Sequence, residues 1–206
     1  MIIKHKKKVI AALILGLAIT LTLQATLLAE QCYGIREKVF RLHILANSDS
    51  PADQQLKLKV RDALLTYGGP LLSGAQNKEE AAGLANQHIN ELQQIAQNAL
   101  NKYGSDQSVS ITVADTYFNT RYYQTVTLPA GTYTALRVVL GEGKGKNWWC
   151  VMFPNLCIPT ATDSKGMEDV LTPGQTKLVE GGNQYKIKFK TIEFAQSALN
   201  KCKAWW

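Results

Sequence analysis

At 206 residues the chain is long enough to bury one sizeable core, and its length does not call for a second domain. It has 23 lysines and arginines against 16 aspartates and glutamates, a formal charge of +7, but the excess is unevenly placed. Lys4, Lys6, Lys7 and Lys8 precede an uncharged run from Val9 to Ala29, the layout of a secretory signal whose positive end stays in the cytoplasm. Without those four lysines the charge falls to +3. That removes the main argument for nucleic-acid binding and leaves a mildly basic surface suited to an anionic membrane or wall.

Cleavage after Ala29 fits, except that Leu27 is larger than the small residue usual two positions earlier. The uncharged run is 21 residues, also just long enough to span a bilayer, although Thr20, Thr22, Gln24 and Thr26 weaken its second half as an anchor. Residues 1–29 therefore read as a signal peptide or an N-terminal membrane anchor, and 30–206 as an exported domain. Cys32 follows Ala-Glu-Gln, which is not a lipoprotein signal.

The exported part opens with a strand over Val39–Ala46. Phe40, Leu42, Ile44 and Ala46 alternate with Arg41 and His43 on the other face. A helix then starts by the rules. Ser50 is placed to accept from free N–H groups, Pro51 fits the first helical position, and Asp53 sits near the positive helix end. Leu56, Val60, Ala63, Leu64 and Tyr67 form its apolar stripe, while Lys57, Lys59 and Arg61 with Asp53 and Asp62 read as a solvated face. Gly68-Gly69-Pro70 predicts a break.

A second long helix is predicted over Lys78–Tyr103, stopped by Gly104. Val109, Ile111 and Val113 alternate with polar residues, and Tyr122–Leu128 is rich in aromatic and β-branched types, which predicts two strands joined antiparallel around Asn119. Thr132–Leu140 reads as a short helix, with Ala135, Leu136, Val139 and Leu140 inward and Gly141 ending it. Trp148–Phe153 reads as a buried strand, followed by a loop from Pro154 to about Thr176. Tyr185–Lys190 reads as another strand and Thr191–Lys203 as a final helix. The expected architecture is a single α/β (α+β) domain. A mixed sheet of four to five strands packs with two long and one or two short helices.

Four cysteines suit an oxidising compartment: Cys32, Cys150, Cys157 and Cys202. Pro154 can turn the chain back between Cys150 and Cys157, so a disulfide is predicted there, with Cys32 and Cys202 as a second possible pair. Four cysteines allow three pairings, and sequence does not choose among them.

Several constellations invite chemistry and do not carry it. Gly141-Glu-Gly-Lys-Gly-Lys146 fits neither common nucleotide fingerprint and would follow a helix into a strand, the reverse of a phosphate loop. A helix cap and close backbone packing explain its glycines better, and the functional reading that remains is a flexible, positive recognition edge beside Trp148 and Trp149. Those two must point to opposite sides of their strand, which leaves one free to anchor a partner. Trp205 and Trp206 read either as lying against a membrane surface or as a disordered end. His43 with Ser48, Asp49 and Ser50 suggests a nucleophilic triad, but no Gly-x-Ser-x-Gly elbow is present. Asn47, Asp49 and Ser50 read more simply as turn and cap residues. His5, His43 and His88 show no metal-ligand spacing, and Asp163-Ser-Lys-Gly166 lacks the aspartic-protease pattern. No cofactor, metal or nucleotide is expected.

Two blocks carry a resemblance. Arg41–Asp62 (RLHILANSDSPADQQLKLKVRD) and Ala135–Cys157 (ALRVVLGEGKGKNWWCVMFPNLC) resemble the stage II sporulation protein R family, a secreted signal of endospore-forming bacteria. The family usually shows two prolines before the leucine and second cysteine. Here Pro154 is followed by Asn155, and both cysteines are kept. The resemblance implies a non-enzymatic protein exported from the forespore into the septal space between two membranes. There it would activate a membrane-embedded aspartic protease that converts the sigma-E precursor. Candidate contacts are Arg41, His43, Asn47 and Asp49, together with Lys144, Lys146, Trp148 and Trp149. The competing readings are an exported wall or peptide hydrolase using His43 and a nearby carboxylate, and a structural protein of the septal space.

Overall fold

The alternating apolar residues after Val39 form β1 (Phe40–Leu45) in a computed structural model that describes residues 2–123, 126–157, 166–181 and 189. β1 lies inside a mixed four-stranded sheet of order β2-β5-β1-β6, with β2 Val109–Phe118, β5 Gly131–Leu140 and β6 Asn147–Phe153. It runs parallel to β5, with Leu42 opposite Leu136, and antiparallel to β6, with Leu42 opposite Cys150. The chain is a single α+β domain, as the sequence predicts.

Helices cover the first face of the sheet: α2 (Pro51–Leu72), α3 (Lys78–Gln87) and α4 (Ile89–Lys102). Their apolar residues, among them Val60, Leu64, Leu92, Ala96 and Leu100, meet Leu42, Ile44, Leu136, Val138 and Met152 in one core cluster. Part of the second face is covered by the end of α1 (Ile2–Arg36), by a hairpin of β3 (Arg121–Tyr123) and β4 (Val126–Leu128), and by α5 (Met167–Val170) and α6 (Pro173–Glu180). Cys32, Ile35, Leu128, Val151 and Val179 are buried there. Arg41 lies under Tyr123 of the hairpin and His43 against the Trp149 ring, so both are buried along with the apolar residues of β1. The polar side of this strand is not a wet side.

The start of α2 follows the reading of its sequence. Ser50 Oγ accepts from Asp53 N at 3.1 Å and Pro51 occupies the first turn. The predicted break at Gly68-Gly69-Pro70 does not occur. Gly68 is buried close to β6, where a Cβ would come 2.8 Å from Cε at the movable end of Met152. Pro70 falls in the last turn, where its missing N–H costs a single bond. Lys57, assigned to the solvated face, is buried, and its Nζ donates to Lys146 O at 2.9 Å.

The second long helix is broken at His88 into α3 and α4. Gly104 ends α4 with φ +72°, and Ser105 N returns to Leu100 O at 3.1 Å.

Two further expectations are corrected. Thr132–Leu140 is not a helix but part of β5, paired on both sides. A strand enclosed by two layers needs no alternation, and an apolar run alone does not separate it from a helix; the cues that decide are Thr132, Tyr133, Thr134, Val138 and Val139. Once β5 is a strand, all ten of its residues pair with β2, from Val109↔Leu140 to Phe118↔Gly131. Tyr122–Leu128 is therefore displaced from β2 and folds on itself as β3–β4, with Tyr122 opposite Thr127. The loop expected to reach Thr176 is interrupted by α5 and the start of α6.

The strand expected at Tyr185–Lys190 and the helix at Thr191–Lys203 lie outside the described residues, apart from Phe189, which is buried. The same holds for Cys202, Trp205 and Trp206.

Leader and domain are continuous. Among the described residues α1 is the one helix long and apolar enough to cross a membrane. Its side chains are exposed from Val9 to Leu27, whereas its last two turns dock on the domain. Arg36 Nη1 donates to Ala130 O at 3.4 Å, and Gly34 lies so close to Gln175 that a Cβ would meet its Nε2 at 2.4 Å. Such a helix is compatible with a signal or an anchor.

Cys150 and Cys157 lie at disulfide distance, with Cα atoms 6.3 Å apart and a sequence separation of 7. Cys157 Sγ also accepts Val151 N at 3.4 Å, which folds the following loop back on β6. Closing so short a loop is worth roughly 2–3 kcal/mol on the chain-entropy model. Cys157→Ser is expected to lower unfolding free energy by about that amount in oxidising denaturant titrations and to match the wild type under reductant. Equal stability under oxidising conditions would show that the bridge does not form.

Candidate functional site

All the sequence-derived contact residues except Trp148, which packs on the first face of the sheet, separate into two groups at different places. Asn47 and Asp49 meet Lys144 and Lys146 where the β5–β6 connector crosses the end of β1. Arg41, His43 and Trp149 lie on the second face of the sheet.

The first group is an interlocked junction. Asp53 Oδ2 accepts from Asn47 Nδ2 at 2.9 Å and from Ser48 Oγ at 2.5 Å, while Oδ1 accepts from Gln107 Nε2 at 2.6 Å. Hydrogen bonds from Ser48 and Asn47 hold the Asp53 carboxyl below the usual carboxylate range, against the opposing effect of burial. Asn47 in turn accepts from Glu142 N at 3.0 Å through Oδ1, and from Lys144 N at 3.1 Å through its backbone. Asp49 Oδ1 accepts from Lys146 N at 2.6 Å.

The glycines are explained by this crossing. A Cβ on Gly145 would stand 2.2 Å from Ser48 O, and one on Gly141 would stand 2.3 Å from Asn47 Oδ1. The Gly-Lys string joins two strands, rather than a helix to a strand as expected from sequence. Asn47 and Asp49 are thus occupied in holding the connector, and the Lys144 and Lys146 side chains stand exposed on its outer surface.

The second group is an aromatic box around a buried charge. Arg41 has no exposed surface; its guanidinium lies 3.8 Å from the Phe118 ring centroid and 4.7 Å from that of Tyr133. Its Nε donates to Cys150 O at 3.5 Å and its Nη2 to the Tyr123 hydroxyl. Burial lowers the Arg41 pKa while Tyr123 and Tyr133 act against the shift. Stacking on π faces compensates a desolvated guanidinium, each such contact contributing up to about 2 kcal/mol.

His43 stacks on Trp149, with centroids 3.9 Å apart and planes 6° from parallel. Burial pushes its pKa down to about 4; the Asn147 side chain opposes this, and Arg137, Arg121 and Arg41 reinforce it. At neutral pH His43 is an uncharged ring among cations. Asp49, the carboxylate near it in sequence, is committed to the connector, so the acid–base pairing suggested for a hydrolase is not assembled. Among the described residues no group of three or more His, Cys, Asp or Glu side chains gathers to hold a metal.

Trp148 and Trp149 point to opposite faces, as their adjacency requires. Neither is bare. Arg61 lies over Trp148 at 4.3 Å and Arg121 over Trp149 at 4.9 Å. Sequence reasoning missed Arg121 and Arg137. The first was assigned to the connection around Asn119, just before Tyr122–Leu128, whereas it opens β3 of the hairpin. The second was hidden by the helix assigned to Thr132–Leu140.

The family model for stage II sporulation protein R matches residues 36–163, which span the junction, the aromatic box and both bridged cysteines. The chain belongs to this family. It is 37% identical over 135 residues to the stage II sporulation protein R of Bacillus subtilis (strain 168), a match covering 66% of this chain. The chain spans about 60% of that relative's length. No solved structure matches the chain significantly.

Two outcomes follow from this geometry. Between about pH 6.5 and about pH 4 the unfolded chain binds a proton at His43 that the folded chain excludes, so stability falls as pH drops through that window. The loss is roughly 2–3 kcal/mol. His43→Phe keeps a ring against Trp149 and is expected to flatten urea-derived stability between pH 6.5 and 4.5. An unchanged slope would place the titration elsewhere. Gly145→Ala is expected to cost about 1–3 kcal/mol in thermal or urea unfolding, because Ser48 O is backbone and has little room to yield.

Proposed function

We propose that the chain is an exported sporulation signal that acts by binding and performs no bond cleavage itself. In this reading it leaves the forespore and reaches the space between the two septal membranes. There it engages the extracytoplasmic region of a membrane-embedded aspartic protease, whose processing of the sigma-E precursor follows. Family membership supports the sporulation role, and the apolar N-terminal helix suits export or anchoring.

The observation that carries a binding role is the fate of the polar residues that had suggested chemistry. His43 is an uncharged stacked ring, and Asn47, Asp49 and Asp53 are spent on fixing the connector. What remains for a partner is a fixed surface: Trp149 with the cations around it, and the exposed Lys144 and Lys146 beside Trp148. Arg41 contributes from beneath by holding Phe118 and Tyr123 in place.

A rigid ligand activates a receptor only by binding its active arrangement more tightly than its resting one. A preference of about 2.8 kcal/mol shifts that equilibrium roughly a hundredfold. The test is reconstitution of the full chain with membranes carrying the protease and its precursor substrate. Precursor cleavage that requires both chain and protease is the expected result. Absence of cleavage with chain shown to be folded by circular dichroism contradicts direct activation. Turnover of a peptide or wall substrate by the chain alone contradicts the binding role.

A further inference from the structure

We infer that the partner is recognised through a protein carboxylate, bound by Arg121 and Arg137 on the open part of the sheet's second face. This rests on the binding role proposed above and adds the chemistry of the contact.

The strand register sets out the surface. Thr112, Arg137, His43 and Trp149 stand side by side across β2, β5, β1 and β6. In the next row outward Ser110 and Asn147 are exposed at the two ends, and Leu45 and Val139 between them are half-covered, with Gly143 folded close to Val139. The hairpin, α6 and the end of α1 pack over the opposite part of this face, around Tyr133, Ala135 and Val151.

The charges on this face are one-sided. Arg137 has no hydrogen bond or ion pair among the described residues. Among the described residues Arg121 Nε is buried without a hydrogen-bond partner, as is Nη1 of the fully enclosed Arg41. The four strands of the sheet offer no carboxylate to balance them, because Asp115 of β2 points to the first face, where it accepts from Thr134 at 3.3 Å. An Arg121 Nε–H buried without an acceptor raises the free energy of the isolated chain, and a partner carboxylate that reaches it, with half-buried Arg137 beside it, relieves that cost. Arg121, with its guanidinium carbon 4.9 Å from the Trp149 ring centroid, is positioned for this by the contact.

A carboxylate from a protein segment suits the place better than a lipid phosphate. Arg137 lies six residues along β5 from Gly131, about 20 Å at strand rise, and it is Gly131 that Arg36 at the end of α1 abuts. Arg137 is therefore distant from the point where the apolar helix leaves the domain, and Arg121 reaches toward it from the hairpin. Ser110, Thr112 and Asn147 supply hydroxyls and an amide for the main chain of an extended segment.

The experiment uses full chain in phosphatidylcholine nanodiscs and follows the anisotropy of a fluorescein-labelled hexaglutamate peptide. R137Q is expected to weaken binding about tenfold and R121Q/R137Q further, with thermal melts unchanged. K59Q/K102Q removes equal charge from exposed positions on the helical layer and is expected to change affinity less than twofold. Equal weakening by both double variants would reduce the effect to net charge and overturn the inference. So would a wild type that ignores hexaglutamate yet binds phosphatidylglycerol vesicles through the same two arginines. In the reconstituted processing assay, R121Q/R137Q is expected to lose at least tenfold in activity. Full activity of that variant beside an active wild type sinks the carboxylate contact alone, whereas an inactive wild type sinks the signalling role itself.

Discussion

One carboxylate ties the molecule together. Asp53, in the first turn of α2, accepts hydrogen bonds from Asn47, Ser48 and Gln107 and so joins the end of β1, the start of α2 and the approach to β2. Through Asn47 and Asp49 the same junction fixes the connector between β5 and β6. β5 and β6 flank β1 on opposite sides, so their connector must pass over the end of β1. The close glycines at 141 and 145 let it pass, and the amides it presents there are satisfied by Asn47, Asp49, Ala46 and Asn47 O. Position and orientation of Trp148 and Trp149 follow directly, since β6 begins where this connector ends.

A second constraint comes from placing β1 inside the sheet with layers on both sides. Its alternate residues cannot be a wet face, so the charge at Arg41 had to be enclosed. Phe118, Tyr123 and Tyr133 are the enclosure, supplied by β2, β3 and β5. The hairpin thus serves as a lid for a charge as well as a cover for apolar surface. His43, one pair further along the strand, is stacked on Trp149 and kept neutral by the same surroundings. The residues that look most like acid–base machinery in the sequence are those on which the structure relies for packing.

Local signals in the sequence translated well where short-range chemistry decides. Ser50-Pro51 with Asp53 began a helix, Gly104 ended one, and Pro154 between Cys150 and Cys157 marked a turn bringing the two cysteines together. The errors arose where tertiary context decides. Thr132–Leu140 is apolar enough to be a helix stripe or a doubly covered strand, and only its pairing with β1 and β2 resolves the choice. That single misassignment also misplaced the partner of β2 and concealed Arg137. Gly68-Gly69-Pro70 reads as a break from composition, but Pro70 falls in the last turn of α2, where its missing N–H removes only one bond. For the candidate surface, Trp149 and His43 were legible as individuals. Their stacking, and the gathering of Arg41, Arg121 and Arg137 around them, joins residues from four strands and leaves no trace in sequence spacing.

The scaffold fixes a cationic, aromatic surface, and we propose that it works by being recognised. Site-specific photocross-linking tests it most directly, with a benzophenone amino acid at Thr112 beside Arg137, and in a second variant at Tyr103, which is exposed on the helical layer. In membranes carrying the protease, the account requires cross-links from position 112 to an acidic extracytoplasmic segment of that protease, mapped by mass spectrometry, and none from position 103. Cross-links from 103 alone, or from neither position while precursor processing proceeds, would contradict it.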